Sequence, residues 1–229
     1  MKLSVKSLLF DYGGTIDTNG IHWGEALWNA YSNYNSGIPR DTFRKTYTQV
    51  ERQLGSQWLI LPSHTFRETL EIKVRLQFEA LCIDNPNLFN DITEICYENT
   101  RFCIHRSLQV LDQLRENYPM YLVSNFYGNL RTVLREFSLI NYFQEVIESA
   151  EAGFRKPDIQ IFRIAIEKTG FKPEAVAVIG DSYKNDIEPA NKLGCPTIWL
   201  KGKGWDKGDE SIDHPYIIND FSELLTLLL

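Results

Sequence analysis

Short apolar runs alternate with amphipathic stretches along most of this chain, and the two periods predict its elements. Residues 5–10 form an apolar run closed by Asp11-Tyr12-Gly13-Gly14, which reads as a buried strand ending in a tight loop. Trp23, Leu27, Tyr31 and Tyr34 then recur at helix spacing, as do Phe43, Tyr47, Val50 and Leu54. Pro39-Arg40-Asp41 reads as a helix start after a stop at Gly37. One segment is ambiguous. Leu70, Ile72, Val74, Leu76 and Phe78 alternate with polar residues, which by period alone is a half-buried strand. The Glu, Lys, Arg, Leu, Gln and Ala among them favour a helix. A helix there carries two apolar stripes and needs partners on two sides, and we read the segment that way.

From Ser107 the pattern changes. Helices are predicted over 107–114, 130–137, 158–168 and 186–193, and strands over 119–123, 143–147, 176–179, 197–200 and 216–218, with a terminal helix over 221–229. Strands alternating with helices predict an α/β fold with a doubly wound parallel sheet. Such a sheet binds ligands outside the carboxyl ends of its strands. The first strand ends at Asp11, the second at Ser124-Asn125, and the strand over 176–179 at Gly180-Asp181-Ser182, with Asp186 close behind. Gly153-Phe154-Arg155-Lys156-Pro157 forms a loop before a helix. Carboxylates, a hydroxyl, an amide and a lysine therefore converge on one edge of the sheet.

Composition narrows the function classes. The chain has 229 residues with 43% hydrophobic and 24% charged positions, ordinary globular usage, and a net charge of −6. That acidic balance disfavours nucleic acid and anionic membranes as partners. No apolar run approaches the roughly 18 residues of a membrane span. The patch Leu8-Leu9-Phe10 is too short for a signal-peptide core, so a cytoplasmic location is expected. Cys82, Cys96, Cys103 and Cys195 include no Cys-x-x-Cys pair and read as reduced thiols. Lys201-Gly202-Lys203-Gly204-Trp205 lacks phosphate-loop spacing and reads as an ordinary connection.

Three carboxylates gathered in one place need a strong cation. Mg²⁺ is the expected one, because it takes hard oxygen ligands and keeps waters for a substrate phosphate. A carboxylate can also attack phosphorus to form an aspartyl-phosphate, with lysine, Ser and Asn donors holding the transferring group.

These residues resemble the motifs of the haloacid dehalogenase superfamily. The first motif is similar to Asp11-Tyr12-Gly13-Gly14-Thr15, the second to Ser124 followed by Asn125, and the third to Lys156 within the stretch from Ser149 to Asp158. The fourth is similar to Gly180-Asp181-Ser182-Tyr183-Lys184-Asn185-Asp186. The resemblance implies a core domain of residues 1–15 and 104–229 and a helical cap domain of residues 16–103. It implies Asp11 as nucleophile, Asp11 and Asp181 as side-chain metal ligands, and Gly13 as a ligand through its carbonyl. Asp186 supports the metal directly or through water. Ser124 and Lys156 form the phosphoryl-binding pair, with Asn125 orienting that loop. The expected partner is a small phosphorylated molecule.

The chain departs from the family's phosphatases at one position. Two residues after the nucleophile they carry a second aspartate, the general acid and base, and here it is Gly13. Asp17 and His22 are the visible replacements, each with a plainer reading as a turn aspartate or a helix-start histidine. Glycine at this position has a second explanation, a backbone angle with positive φ. The same gap leaves other readings open: a phosphate-ligand binding protein without turnover, or dehalogenase or phosphonatase chemistry. The metal-type fourth motif argues against dehalogenation. A phosphonatase needs a cap lysine, and none lies between Asp11 and Lys45.

Overall fold

β1 (Ser7–Phe10) is buried along its whole length, because side chains alternate between two covered faces. Leu8 and Phe10 join one apolar cluster and Leu9 the other. The structure, a computed structural model, describes residues 3–34, 36–202 and 211–229. Lys203, Gly204 and Trp205 of the glycine-rich connection lie outside them. Among the described residues five further strands join β1 in one parallel sheet, β2 and β4 as its direct neighbours: β2 (Met120–Ser124), β3 (Val146–Glu148), β4 (Val176–Gly180), β5 (Thr197–Leu200) and β6 (Ile217–Ile218). Their order is β3-β2-β1-β4-β5-β6, the doubly wound α/β arrangement the sequence predicts. The chain reverses direction across the sheet between β1 and β4, and a ligand crevice forms at such a switch point.

Among the described residues four helices separate β1 from β2: α1 (Trp23–Asn33), α2 (Arg40–Ser56), α3 (Phe66–Leu81) and α4 (Pro86–Leu114). The ambiguous segment is α3. Thr65 and Glu68 close its first turn as a capping box, which fixes the helical start. Its two stripes have two partners. Leu70, Val74 and Phe78 join the main apolar cluster, while Ile72 and Leu76 pack on Val50, Leu54 and Ile60. The helix expected over 107–114 is the last part of the 29-residue α4.

The remaining α-helices among the described residues are α5 (Leu130–Glu136), α6 (Ser149–Ala152), α7 (Ile159–Thr169), α8 (Glu188–Lys192) and α9 (Leu224–Leu228). Two expected starts move by three residues. The third strand starts at Val146 rather than 143, because Phe143 is a core plug set edge-on to Phe10, 6.2 Å between ring centres. The helix expected over 186–193 starts earlier, with a π-helical turn over Tyr183–Ile187. Ser182 caps that turn through Asn185 N, and Asp186 faces inward from it, 1% exposed.

Candidate active site

Register brings the site together. Phe10 pairs with Ile179 on one side and Leu122 on the other, so Asp11, Asp181 and Ser124 all follow at one edge. The Asp11 amide donates to the Ile179 carbonyl at 2.9 Å, which holds Asp11 at the strand end. Asp11, Asp181 and Asp186 each offer a carboxylate oxygen within 4.8 Å of the others. Lys156 Nζ lies 2.5 Å from Asp11 Oδ1 and 2.5 Å from Asp186 Oδ1. It also donates to the Val123 carbonyl at 3.3 Å. Asn125 fixes the lysine's backbone from both sides: its Nδ2 donates to the Lys156 carbonyl, and its Oδ1 accepts from Lys156 N at 2.8 Å. Thr15, quoted in the motif without a role, reaches Asp11 Oδ2 at 3.2 Å and Asp181 Oδ1 at 3.4 Å.

Three carboxylates face one ammonium here. Burial pushes Asp181 well above the usual carboxylate range, and the charges of Asp11 and Asp186 push the same way. Burial raises Asp186 to about 6 against the pull of Lys156. Burial works against the Lys156 ammonium too, but Asp11 and Asp186 outweigh it and hold its pKa raised. The uncompensated charge and the hard oxygen donors fit a divalent cation. Gly14 shapes the cluster: its φ is +99°, and a Cβ there would lie 2.5 Å from the Asp181 carboxylate. Gly13 is different. Its φ is not in the left-handed region, and a Cβ would meet only Trp23 Cδ1, at 3.9 Å. Backbone conformation therefore does not explain glycine at this position.

A cavity of about 130 Å³ opens beside the cluster, between it and α2 and α3. Among the described residues its wall includes Gly13 and Asn125 but not Asp11. His22 borders the cavity, with Nδ1 accepting from Gly24 N as the cap of α1. Asp17 does not. Its carboxylate accepts from Gly14 N at 2.7 Å and from Trp23 Nε1 at 2.8 Å, and it borders a separate cavity between α1 and α4. The plainer reading of Asp17 as a turn aspartate therefore accounts for it.

The sequence reading missed Glu51 and Lys73, which also line the cavity. Lys73 Nζ lies 2.8 Å from Glu51 Oε1, and the Tyr127 hydroxyl donates to Glu51 Oε2 at 2.7 Å. The signal was present: Lys73 sits three residues after Leu70 on the apolar face of a helix, where a lone lysine is unusual. Its absence from the stretch between Asp11 and Lys45 had no bearing, since distance along the chain is not distance in space.

A family model described as haloacid dehalogenase-like hydrolase matches residues 5–194. The glyceraldehyde 3-phosphate phosphatase of Methanocaldococcus jannaschii is 36% identical over 88 residues, 38% of this chain and 38% of that protein. The haloacid dehalogenase-like hydrolase domain-containing protein 3 of Xenopus laevis is 29% identical over 85% of this chain and 82% of its own. The chain spans between 38% and 65% of the first three curated relatives it matches. Among solved structures, a dehalogenase with an intermediate complex superposes over 100% of this chain and 99% of its own, with a TM-score of 0.67 at 17% identity.

Proposed function

Because the chain belongs to the haloacid dehalogenase-like hydrolases, we propose that it is a Mg²⁺-dependent phosphohydrolase acting on a small phosphorylated metabolite. One observation carries the reading: Asp11 stands at a strand end, 4% exposed, against Lys156 and two further carboxylates, beside a cavity of a small leaving group's size. In the proposed division, residues 16–103 cap a core of residues 1–15 and 104–229.

An Asp11 carboxylate oxygen attacks phosphorus and the bond to the leaving oxygen breaks, giving an aspartyl-phosphate. Water then attacks that phosphorus, freeing phosphate and restoring Asp11. Lys156 holds Asp11 in line and stabilises charge on the transferring oxygens. Ser124, 1% exposed at the end of β2, offers its hydroxyl to the same group. Asn125 acts through Lys156, since both ends of its amide are bound to that residue's backbone. Asp11, Asp181, Asp186 and the Gly13 carbonyl would hold the magnesium, which when bound supplies charge stabilisation for the phosphoryl oxygens. Arg155, with no salt-bridge partner among the described residues, borders the cavity and suits an anionic substrate. Lys73 is no support for phosphonatase chemistry. Glu51 holds it as an ammonium, and an amine must be neutral to add to a carbonyl.

The test is phosphate release from a panel of phosphorylated metabolites and aryl phosphates, with Mg²⁺ and with EDTA. Glyceraldehyde 3-phosphate, in the name of the M. jannaschii relative, comes first. Mg²⁺-dependent release that Asp11→Asn abolishes is the expected result. No release from any member would leave only a binding function.

A further inference from the structure

Gly13 leaves the departing oxygen without the usual carboxyl, and the cavity it borders is lined by other proton-bearing groups, Lys73 among them. Lys73 comes from α3, is 7% exposed, and shares that cavity with Gly13. Its Nζ lies 5.7 Å from the centre of the Trp23 ring, whose Cδ1 is the atom a Cβ at Gly13 would meet, at 3.9 Å. The Tyr127 ring lies 5.3 Å away on another side. The ammonium is thus held in place by two aromatic faces and the Glu51 carboxylate. A buried ion pair is a weak source of stability, because desolvation offsets the attraction. Placing one in a ligand cavity calls for another explanation.

We infer that Lys73 is the general acid and base of this enzyme, standing in for the carboxyl that Gly13 lacks. The inference rests on the phosphohydrolase reading. As Asp11 forms its bond to phosphorus and the bond to the leaving oxygen breaks, the Lys73 ammonium gives that oxygen a proton and the product departs as an alcohol. Lys73 is then a neutral amine beside Glu51. When water attacks the aspartyl-phosphate, the amine takes the water's proton, the bond to Asp11 breaks, and phosphate leaves with Lys73 an ammonium again. The protonation balances: an alcohol's pKa is near that of water, about 15.7, well above a lysine's. Glu51, Tyr47 and Asp17 hold the Lys73 ammonium against the burial that disfavours it. Among the other groups in the cavity, His22 commits its Nδ1 to Gly24 N at the start of α1, burial pushes the Tyr47 and Tyr127 hydroxyls well above the usual phenol range, and Arg155 cannot release a proton. Glu51 is kept ionised, since Lys73 and the Tyr127 hydroxyl outweigh its burial.

The experiment is kcat/KM with Mg²⁺ for an alkyl phosphate and for nitrophenyl phosphate, in the wild type and in Lys73→Met. This ratio reports steps only through departure of the leaving group. A nitrophenolate leaves unaided, so the variant should lose about 10²-fold or more on the alkyl phosphate and under about tenfold on the nitrophenyl ester. Its kcat on nitrophenyl phosphate should also fall, with a burst of nitrophenolate, since no base then activates water. Equal losses on both substrates would overturn the inference while the phosphohydrolase reading stands. A wild type that cleaves neither would sink both. If Lys73→Met fails to fold because Glu51 is left buried and alone, the double variant Glu51→Gln/Lys73→Met removes both charges and must show the same split.

Discussion

Single residues here have roles that their type alone does not reveal. Two adjacent glycines differ completely. Gly14 is required by its φ of +99° and by the Asp181 carboxylate it faces, whereas a Cβ at Gly13 would make only an ordinary contact with Trp23. Gly13→Asp should therefore fold. With Lys73 as the acid it should change alkyl phosphate hydrolysis little in the wild type, yet in the Lys73→Met background it should restore at least about tenfold of the lost rate. Steady-state kinetics on the two single variants and the double variant check this, and failure of the double variant to recover would count against a shared role. Asp17 supplies a pH prediction. Burial raises its pKa from 3.8 to about 7. Its stabilising contribution is then complete below pH 4 and is lost as pH rises through 7, worth up to roughly 4 kcal/mol. Thermal melts should show the wild type losing stability relative to Asp17→Asn between pH 5 and pH 8, and a pH-independent gap would contradict the assignment. The sequence exposed Asp17 as a candidate acid because it lies near the nucleophile along the chain. Only the structure reveals that its oxygens are held by Gly14 N and Trp23 Nε1 and that it is not part of the cavity wall.

At the scale of elements, most of the architecture was legible because burial imposes a period. The strands read as apolar runs since both faces of the sheet are covered. The segment over 70–78 was harder, because two opposed apolar stripes on a helix mimic the alternation of a strand. Propensity and the Thr65–Glu68 capping box decide it. The two stripes are unequal, since Leu70 is 2% exposed in the main cluster while Ile72 is half-buried on the smaller one. By urea denaturation Leu70→Ala should cost about 2–5 kcal/mol, Ile72→Ala about half as much, and Arg75→Ala under about 0.5 kcal/mol. A neutral Ile72→Ala would contradict the second contact face. The π-helical turn at Tyr183–Ile187 was not legible. Nothing in Gly-Asp-Ser-x-x-x-Asp specifies one extra residue per turn, and it follows from Asp186 turning in to meet Lys156.

Across the whole molecule, four stretches far apart in sequence meet at one sheet edge, and their order could be read because parallel strands place their carboxyl ends together. The cavity was not readable, since α2 and α3 contribute Glu51 and Lys73 through packing that no local pattern encodes. The three carboxylates outnumber the one ammonium among them, so the native state should bind Mg²⁺ and gain stability by mass action. The melting temperature should rise from EDTA to millimolar Mg²⁺, and Asp181→Asn should reduce the rise; an unchanged melt would argue against a metal there. The central claim is covalent chemistry at Asp11. Its most direct test is an acid quench during turnover of a substrate labelled on phosphorus, with Mg²⁺ present, followed by mapping of the label. The account predicts label on the peptide carrying Asp11 in the wild type and none in Asp11→Asn, which should also release no phosphate. Turnover by Asp11→Asn, or turnover by the wild type with the label on another residue, would contradict it.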